Sequence, residues 1–324
     1  MSAKLEPKHK HGHMMWVGIA GVVAGAVLMI YVPTLKAVSN VLQLFAAFHL
    51  VGAMVLLASV YVMGGNKIAA RLKSLHGKQS ASFDFGWAPA WTHGPWIAAL
   101  VLAASAVAIQ VSKPTYWPLA MLITLLAAGF FAGGLITRAV GRHEHAVLPM
   151  VDLLSGEENV VLDAGCGAGR TSVALGRSLK KGSIVALDRF DSDYIEGGGR
   201  LLLERNLRQA GLAERVRIEC GDMTALPFPD QNFDAVVSAH VIDHLGPQKE
   251  QGLQEILRVM KPGGRFLLIV WVPSWAMFAI ASVLALSLLP KESWRRMAAS
   301  AGFVLSDEGM FNGNWFALLK KPEA

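Results

Sequence analysis

Val160-Val161-Leu162-Asp163-Ala164-Gly165-Cys166-Gly167-Ala168-Gly169-Arg170-Thr171 opens as an apolar run, meets an acidic residue, and breaks into three spaced glycines before a helical pattern begins. Short aliphatic runs of this kind form strands buried on both faces. Glycines at a strand's carboxyl end let the backbone turn tightly and approach a ligand closely, and open α/β sheets bind small molecules there. The third glycine falls one position early for the dinucleotide pattern Gly-x-Gly-x-x-Gly. Strand, tight turn and helix in this order predict an α/β fold with a parallel sheet.

Outward from this turn, short apolar runs alternate with longer helical patterns through the carboxy-terminal half. The runs predict strands at Val160–Leu162, Ile184–Leu187, Val216–Glu219, Phe233–Ser238, Phe266–Val270, Phe303–Leu305 and Trp315–Leu319. Between them, helices are expected over Thr171–Leu179, Leu201–Ala210 and Gln248–Val259, the last with Leu253, Ile256, Leu257 and Met260 on one face. Pro262-Gly263-Gly264 is expected to end that helix and turn into the next strand. The second strand ends on Asp188, a carboxylate placed where nucleotide-binding sheets hold two ribose hydroxyls. Gly221-Asp222-Met223 follows the third strand, and Ser238-Ala239-His240 closes the fourth.

Taken together, Val-Leu-Asp-Ala-Gly-Cys-Gly-Ala-Gly, the strand-two Asp, Gly-Asp-Met-x-x-Leu-Pro-Phe, Phe-Asp-Ala-Val and Arg-Val-Met-Lys-Pro-Gly-Gly resemble the class I S-adenosylmethionine-dependent methyltransferases. Within them the segment from about residue 145 to 324 is most similar to the group that includes the quinone-biosynthesis C-methyltransferases. The resemblance implies a Rossmann-like seven-stranded sheet with its last strand antiparallel, and S-adenosyl-L-methionine as cofactor. Asp163, Gly165 and Gly167, with Cys166 beside them, would border its methionine portion. Asp188, with Arg189 next to it, would bind the ribose, and Asp222 with the Met223 backbone would read the adenine, with Ala239 completing the cofactor set. His240 is the leading candidate for a general base, because it follows the fourth strand, where such sheets place the acceptor; Asp243 and His244 come next.

The first half reads differently. Met14–Val32, Val41–Met63, Pro95–Val111 and Tyr116–Ile136 contain no Asp, Glu, Lys or Arg. About 20 helical residues cross a hydrocarbon core of about 30 Å, so an all-α bundle of about four transmembrane helices is expected. Pro95–Val111 is the weakest of the four, being shorter and carrying Ser105 and Gln110. Nine basic residues (Lys4, Lys8, Lys10, Lys67, Arg71, Lys73, Lys78, Arg138 and Arg142) flank one side, and two (Lys36 and Lys113) flank the other. That asymmetry puts the head, the middle loop and the sheet domain in the cytoplasm. The expected division is a transmembrane domain over 1–140 and a methyltransferase domain over 141–324, in an integral protein of a bacterial inner membrane.

Composition agrees: 53% hydrophobic against 17% charged residues is too apolar for an ordinary soluble chain. The net charge of +6 sits at the ends of apolar runs, which favours a lipid bilayer over nucleic acid as partner. Two cysteines give no metal-ligand spacing, and His9, His11 and His13 lie in a tail without fixed geometry, so no metal is expected. After the fifth strand, Trp275–Leu289 is charge-free but too short for a span, and is expected as a helix that lies on or dips into the bilayer or lines the apolar pocket of a small lipophilic acceptor. Aminopropyl transfer would call for an acidic glycine loop and an acidic motif after the fourth strand; Cys166, Ala168 and Ser238-Ala239-His240 supply neither. A cofactor-binding sensor coupled to the membrane helices is the alternative from another class.

Overall fold

The computed structural model describes residues 83–86, 89–140, 146–156, 158–179, 181–192, 195–274, 277, 282–311 and 313–323, with Val23 and Val27 besides. The first two expected spans lie outside these residues apart from that pair of valines. The described chain falls into two compact units, one holding His93–Ala128 and the other holding Gly77–Thr92 with Gly129–Ala324.

The third and fourth apolar stretches are helices α1 (Pro89–Ser112) and α2 (Trp117–Val140), joined through a 3₁₀ turn at Pro114–Tyr116. Within this region His93–Ser112 and Pro114–Ala132 are each long and apolar enough to cross a membrane. Leu100, Val107, Val111 and Leu125 point outward and stay exposed. The hydroxyls are handled inside the helices: Ser105 Oγ donates to Val101 O at 2.8 Å, and Thr124 Oγ1 donates to Ala120 O at 2.8 Å. A side chain bonded four residues back presents no unmet polar group to an apolar surrounding.

All seven predicted strands form: β1 (Val160–Ala164), β2 (Ser183–Asp188), β3 (Val216–Cys220), β4 (Phe233–Ala239), β5 (Met260–Val270), β6 (Val304–Phe311) and β7 (Asn314–Lys320). They make one sheet in the order β3-β2-β1-β4-β5-β7-β6. β1 to β5 pair in parallel, while β7 runs antiparallel to both of its neighbours. The helices are α3 (Arg170–Ser178), α4 (Arg200–Gln209), α5 (Lys249–Val259) and α6 (Lys291–Ser300).

Strand period 2 sorts the side chains into two layers. Leu162 and Ala164 face a core shared with Leu253, Ile256 and Trp294, from α5 and α6. Val161 faces the opposite core, with Val173 and Leu175 of α3 and Leu203 and Leu207 of α4. Each fully buried aliphatic side chain contributes about 1.5–3 kcal/mol relative to leaving it exposed, so covering both faces of the sheet is the main favourable term in this unit.

Two expectations change. Pro262-Gly263-Gly264 does not separate helix from strand, because β5 already begins at Met260, paired with Phe233. The next partners are Ala235 and Arg265, so Lys261–Gly264 is a bulge within the strand, where Gly263 takes a φ of +72°. A Cβ on Gly264 would lie 2.8 Å from Lys261 O and 3.0 Å from Asp234 O, which explains the glycine there. The charge-free stretch after β5 is also not one continuous helix. It contains a 3₁₀ segment, Ser282–Ser287, in which Ala285 is buried and Leu286 is exposed. Met277 is buried, and 275, 276 and 278–281 lie outside the described residues. Helix α6 has no counterpart among the predicted elements.

The sheet unit also takes in a stretch from before residue 140. Phe85 is buried among Ala146, Cys166, Ala168 and Leu202.

Candidate cofactor and acceptor site

The site lies at the carboxyl ends of β1, β2 and β4. Asp163 is the last-but-one residue of β1 and is 1% exposed. Its Oδ2 accepts the Ser172 hydroxyl at 2.5 Å, while Oδ1 is buried with no partner among the described residues. Burial raises its pKa to about 7, and the nearby Asp188 adds to the rise, against the bond from Ser172. A carboxyl group held near neutrality with an idle oxygen is suited to a cation.

The glycine turn is tied to the neighbouring strand. Gly165 N and Cys166 N both donate to Leu187 O, at 2.7 and 3.0 Å, and Gly167 N donates to Asp188 Oδ2 at 2.9 Å. Gly165 needs its φ of +85° and has no room for a Cβ, which would come within 2.3 Å of Val241. At Gly167 a Cβ would meet nothing within 4 Å, so the backbone there borders open space. That is the cradle a close-lying ligand needs. Cys166 is buried and its thiol pKa is pushed up, first by burial and then by Asp163 and Asp188, so it is a small apolar wall.

Asp188 ends β2 with both oxygens in use: Oδ2 takes Gly167 N–H and Oδ1 takes Phe190 N–H at 2.9 Å. Each carboxylate oxygen accepts two bonds, so one place per oxygen is left for a ribose hydroxyl. Arg189 pairs with Asp191 at 2.5 Å and reaches Asp222 Oδ2 at 3.6 Å, linking the tips of β2 and β3. Asp222 Oδ1 also caps its own turn, accepting Thr224 N at 2.8 Å and Thr224 Oγ1 at 2.7 Å. Burial would lift its pKa, but the Thr224 bonds and Arg189 outweigh that and hold it below the usual range. Met223 is 4% exposed and packs inward, which leaves its backbone for the site. Helix α5 pins this loop from below: Leu226 N donates to Glu255 Oε2 at 2.7 Å, and Arg258 reaches Leu226 O, Phe228 O and Asp230.

At the end of β4 Ala239 is half-buried, and the next residue, His240, carries a φ of +58°, unusual for a side-chain-bearing residue. His240 N donates to Ile269 O at 2.9 Å, which holds the bend. The imidazole lies 5.3 Å from the Trp271 ring, and His244 meets the same ring edge-on at 6.0 Å. Burial drops the His240 pKa to about 4; Asp243 pulls it up, while His244 and Arg170 push it down. The imidazole is therefore neutral at pH 7, with Nδ1 buried and without a partner among the described residues, as are both oxygens of Asp243. Val241 packs directly on Gly165, so the loop carrying His240, Asp243 and His244 sits on the glycine turn.

Sequence reading missed several contributors. Gly198 and Gly199 lie against Phe190 and Gly167, where a Cβ would come within 1.9 Å of Phe190 O and 3.2 Å of Gly167 C. Three successive glycines after β2 were the available signal. Asn206 carried none, being one ordinary residue in a helix assigned on other grounds, and Trp271 carried none, being a single aromatic residue just past β5.

Residues 162–268, which hold the glycine turn and run from β1 into β5, match the family described as a methyltransferase domain. Its cofactor is S-adenosylmethionine, and the site fits: a buried near-neutral carboxyl for the cationic end, an open glycine backbone, and a strand-two carboxylate for the ribose. The chain is 32% identical over 143 residues to a sterol 24-C-methyltransferase of Eremothecium gossypii, covering 44% of this chain and 36% of that protein. It is 33% identical over 133 residues to a demethylmenaquinone methyltransferase of Lactiplantibacillus plantarum, covering 40% and 52%. The chain thus spans between about a third and about half of the curated relatives it matches. A solved methyltransferase from Aquifex aeolicus is 20% identical, covers 51% of this chain and 84% of its own, and gives a TM-score of 0.43.

Proposed function

We propose that the chain is a membrane-anchored enzyme that moves a methyl group from S-adenosylmethionine to a small lipophilic acceptor. One observation carries the reading: Val241 packs on Gly165, which puts the His240–Trp271–His244 cluster directly beside the cofactor turn, with His240 Nδ1 and the Asp243 carboxylate buried and without partners among the described residues. Apolar helices on the same chain and relatives named for a sterol and for demethylmenaquinone support a lipophilic acceptor. The apolar residues between β5 and α6 would line its approach from the bilayer.

When bound, S-adenosylmethionine supplies a methyl group already activated on a sulfonium centre. The protein's share is alignment and exclusion of water. Asp163 holds negative charge near the cationic end, and Asp188 fixes the ribose while tying down the glycine turn. Trp271 offers a flat apolar wall for the acceptor. His240, neutral and with Nδ1 open, accepts the hydrogen bond of an acceptor O–H or N–H and takes the proton where one is lost.

The test is direct. Lipid and quinone extracts from cells with and without the protein, or incubated with the purified full chain and S-adenosylmethionine, are compared by mass spectrometry. A lipophilic species heavier by one CH₂ only where the protein is present supports the proposal. Cofactor binding with no such species, or methylation confined to water-soluble amines or proteins, refutes it.

A further inference from the structure

Phe83-Asp84-Phe85-Gly86 ends 74 residues before the first residue of β1, between apolar segments, yet it is built into the cofactor side of the sheet unit. The link is Asn206 of α4, which is 0% exposed. Its Oδ1 accepts Asp84 N at 3.1 Å, and its Nδ2 donates at 2.8 Å both to Asp84 O and to Ala168 O. Ala168 sits between the second and third glycines of the cofactor turn. One buried amide thus holds the segment and the turn together, and it is fully satisfied only when both are in place.

The rest of the segment grips the same elements. The Arg170 guanidinium lies over the Phe85 ring at 5.2 Å, and that of Arg177 over the Phe83 ring at 5.5 Å. Both arginines belong to α3, which begins directly after Gly169. The two phenylalanine rings stack at 5.6 Å, and Arg205 pairs with Asp84 Oδ2 at 3.3 Å. Gly86 then leaves at a φ of +70°, pressed so close that a Cβ would lie 2.7 Å from Ile195 Cγ2. Asp84 Oδ1 accepts Gly86 N at 3.1 Å and shapes that exit.

We propose that Phe83–Gly86 is a positioning segment of the cofactor site: docked, it holds the glycine turn in the form that takes S-adenosylmethionine, and undocked, it lets that form go. Coupling of this kind is reciprocal, so the bound cofactor must in turn hold the segment. Cofactor occupancy is thereby tied to the chain that joins the apolar stretches, and anything that pulls that chain lowers affinity for the methyl donor.

The full-length protein in detergent tests this. Phe85→Ala and Gly86→Val are expected to weaken S-adenosylhomocysteine binding by about tenfold or more in calorimetry, and Phe85→Tyr, which keeps the ring face, to restore it to within about threefold. In the unaltered protein, saturating S-adenosylhomocysteine is expected to slow hydrogen exchange in the peptide containing Asp84 and Gly86. Variants that keep their melting transition and bind within about twofold of the parent overturn the proposal, since packing alone would lower stability without touching affinity. Exchange that is the same with and without ligand overturns it too, and that measurement decides the matter even where a variant does not fold.

Discussion

Asp188→Ala removes a carboxylate that holds the loop and, in the proposed function, also binds the ribose of the ligand. A hydrogen bond to a charged group contributes about 1.5–3 kcal/mol. Two ribose bonds at the low end come to about 3 kcal/mol, which at about 1.4 kcal/mol per decade raises Kd roughly a hundredfold. The turn adds to this. Gly167 N–H and Phe190 N–H each lose their acceptor, and a turn that spends less time in its binding form raises the apparent Kd in proportion. Both residues are half-buried, so water replaces the lost acceptor and the melting temperature falls little. Asp188→Asn keeps one acceptor oxygen but loses the charge, and is expected near a tenfold loss, or about 1.4 kcal/mol. Calorimetry with S-adenosylhomocysteine on the full-length protein, beside a thermal melt, reads both quantities. Kd within about threefold of the parent in Asp188→Ala, with the melt unchanged, would remove Asp188 from the ribose site.

Asp163, raised to about 7 by burial, stays largely protonated below neutrality, and the cationic cofactor favours its ionised form. S-Adenosylmethionine affinity should therefore climb from about pH 6 to about pH 8, and a flat profile refutes the placement; the stability this acid adds to the ligand-free fold is present below its ordinary pKa and lost as pH rises through about 7. Gly165→Val should abolish cofactor binding by driving a side chain into Val241. Gly211→Ala, at φ +68° with nothing within 4 Å, should cost about 1 kcal/mol of stability and leave affinity alone; equal effects of the two on binding would count against the cradle. His240→Gln should slow methyl transfer by about a hundredfold or more while cofactor Kd holds within about twofold; unchanged turnover clears His240 of any role. Reporter fusions at Lys36 and Lys113 should read as external and those at Lys73 and Ala324 as internal.

The sheet was legible because its determinants are local. The strands β1, β2, β4 and the second half of β5 are largely apolar runs, and Asp163, Gly165, Gly167 and Asp188 stand at or just past the ends of β1 and β2, so locating those strands located them. The antiparallel last strand was implied by the family resemblance alone, and β7 does run antiparallel to its neighbours. The β5 bulge was not legible, because Pro262-Gly263-Gly264 carries the signature of a turn, and pairing of Met260 with Phe233 is a non-local fact. Helix α6 was hidden by composition: Trp294 and Ala298 are its only fully buried positions, too few to set up a period against Arg295 and Arg296. Asp222 shows a third limit. Its carboxylate caps Thr224 as well as standing at the site, and sequence does not separate the two uses of one side chain. The docking of Phe83–Gly86 was least accessible of all, since its partner Asn206 is 122 residues away from Asp84.

That docking also bears on the apolar helices. Phe83–Gly86 packs within the sheet unit, so it lies on the sheet's side of any membrane. The chain from Gly86 to Ala146 therefore leaves and returns to one side, and it must cross an even number of times. It contains two helices of sufficient length, α1 and α2, so either both cross or neither does. If neither crossed, Leu100, Val107, Val111 and Leu125 would stand in water on helices of 24 residues each, forfeiting about 25 cal/mol for every Å² of apolar surface left uncovered. The sequence marks α1 as the weaker of the pair, being shorter and carrying Ser105 and Gln110, but its apolar stretch proves no shorter and no less hydropathic than that of α2, and Ser105 is satisfied by Val101 O. Parity thus agrees with the length and composition of both helices. Lys67, Arg71, Lys73 and Lys78 lead into Phe83, and the charge rule puts them on the sheet's side by an independent route. The two routes fail differently. A fusion at Lys113 on the sheet's side would mean that neither helix crosses and would leave the packing of Phe83–Gly86 intact. A fusion at Lys73 on the side opposite Ala324 would contradict the charge rule and would need a further crossing between Lys73 and Phe83, ten residues that include Lys78 and cannot span about 30 Å of hydrocarbon as a helix.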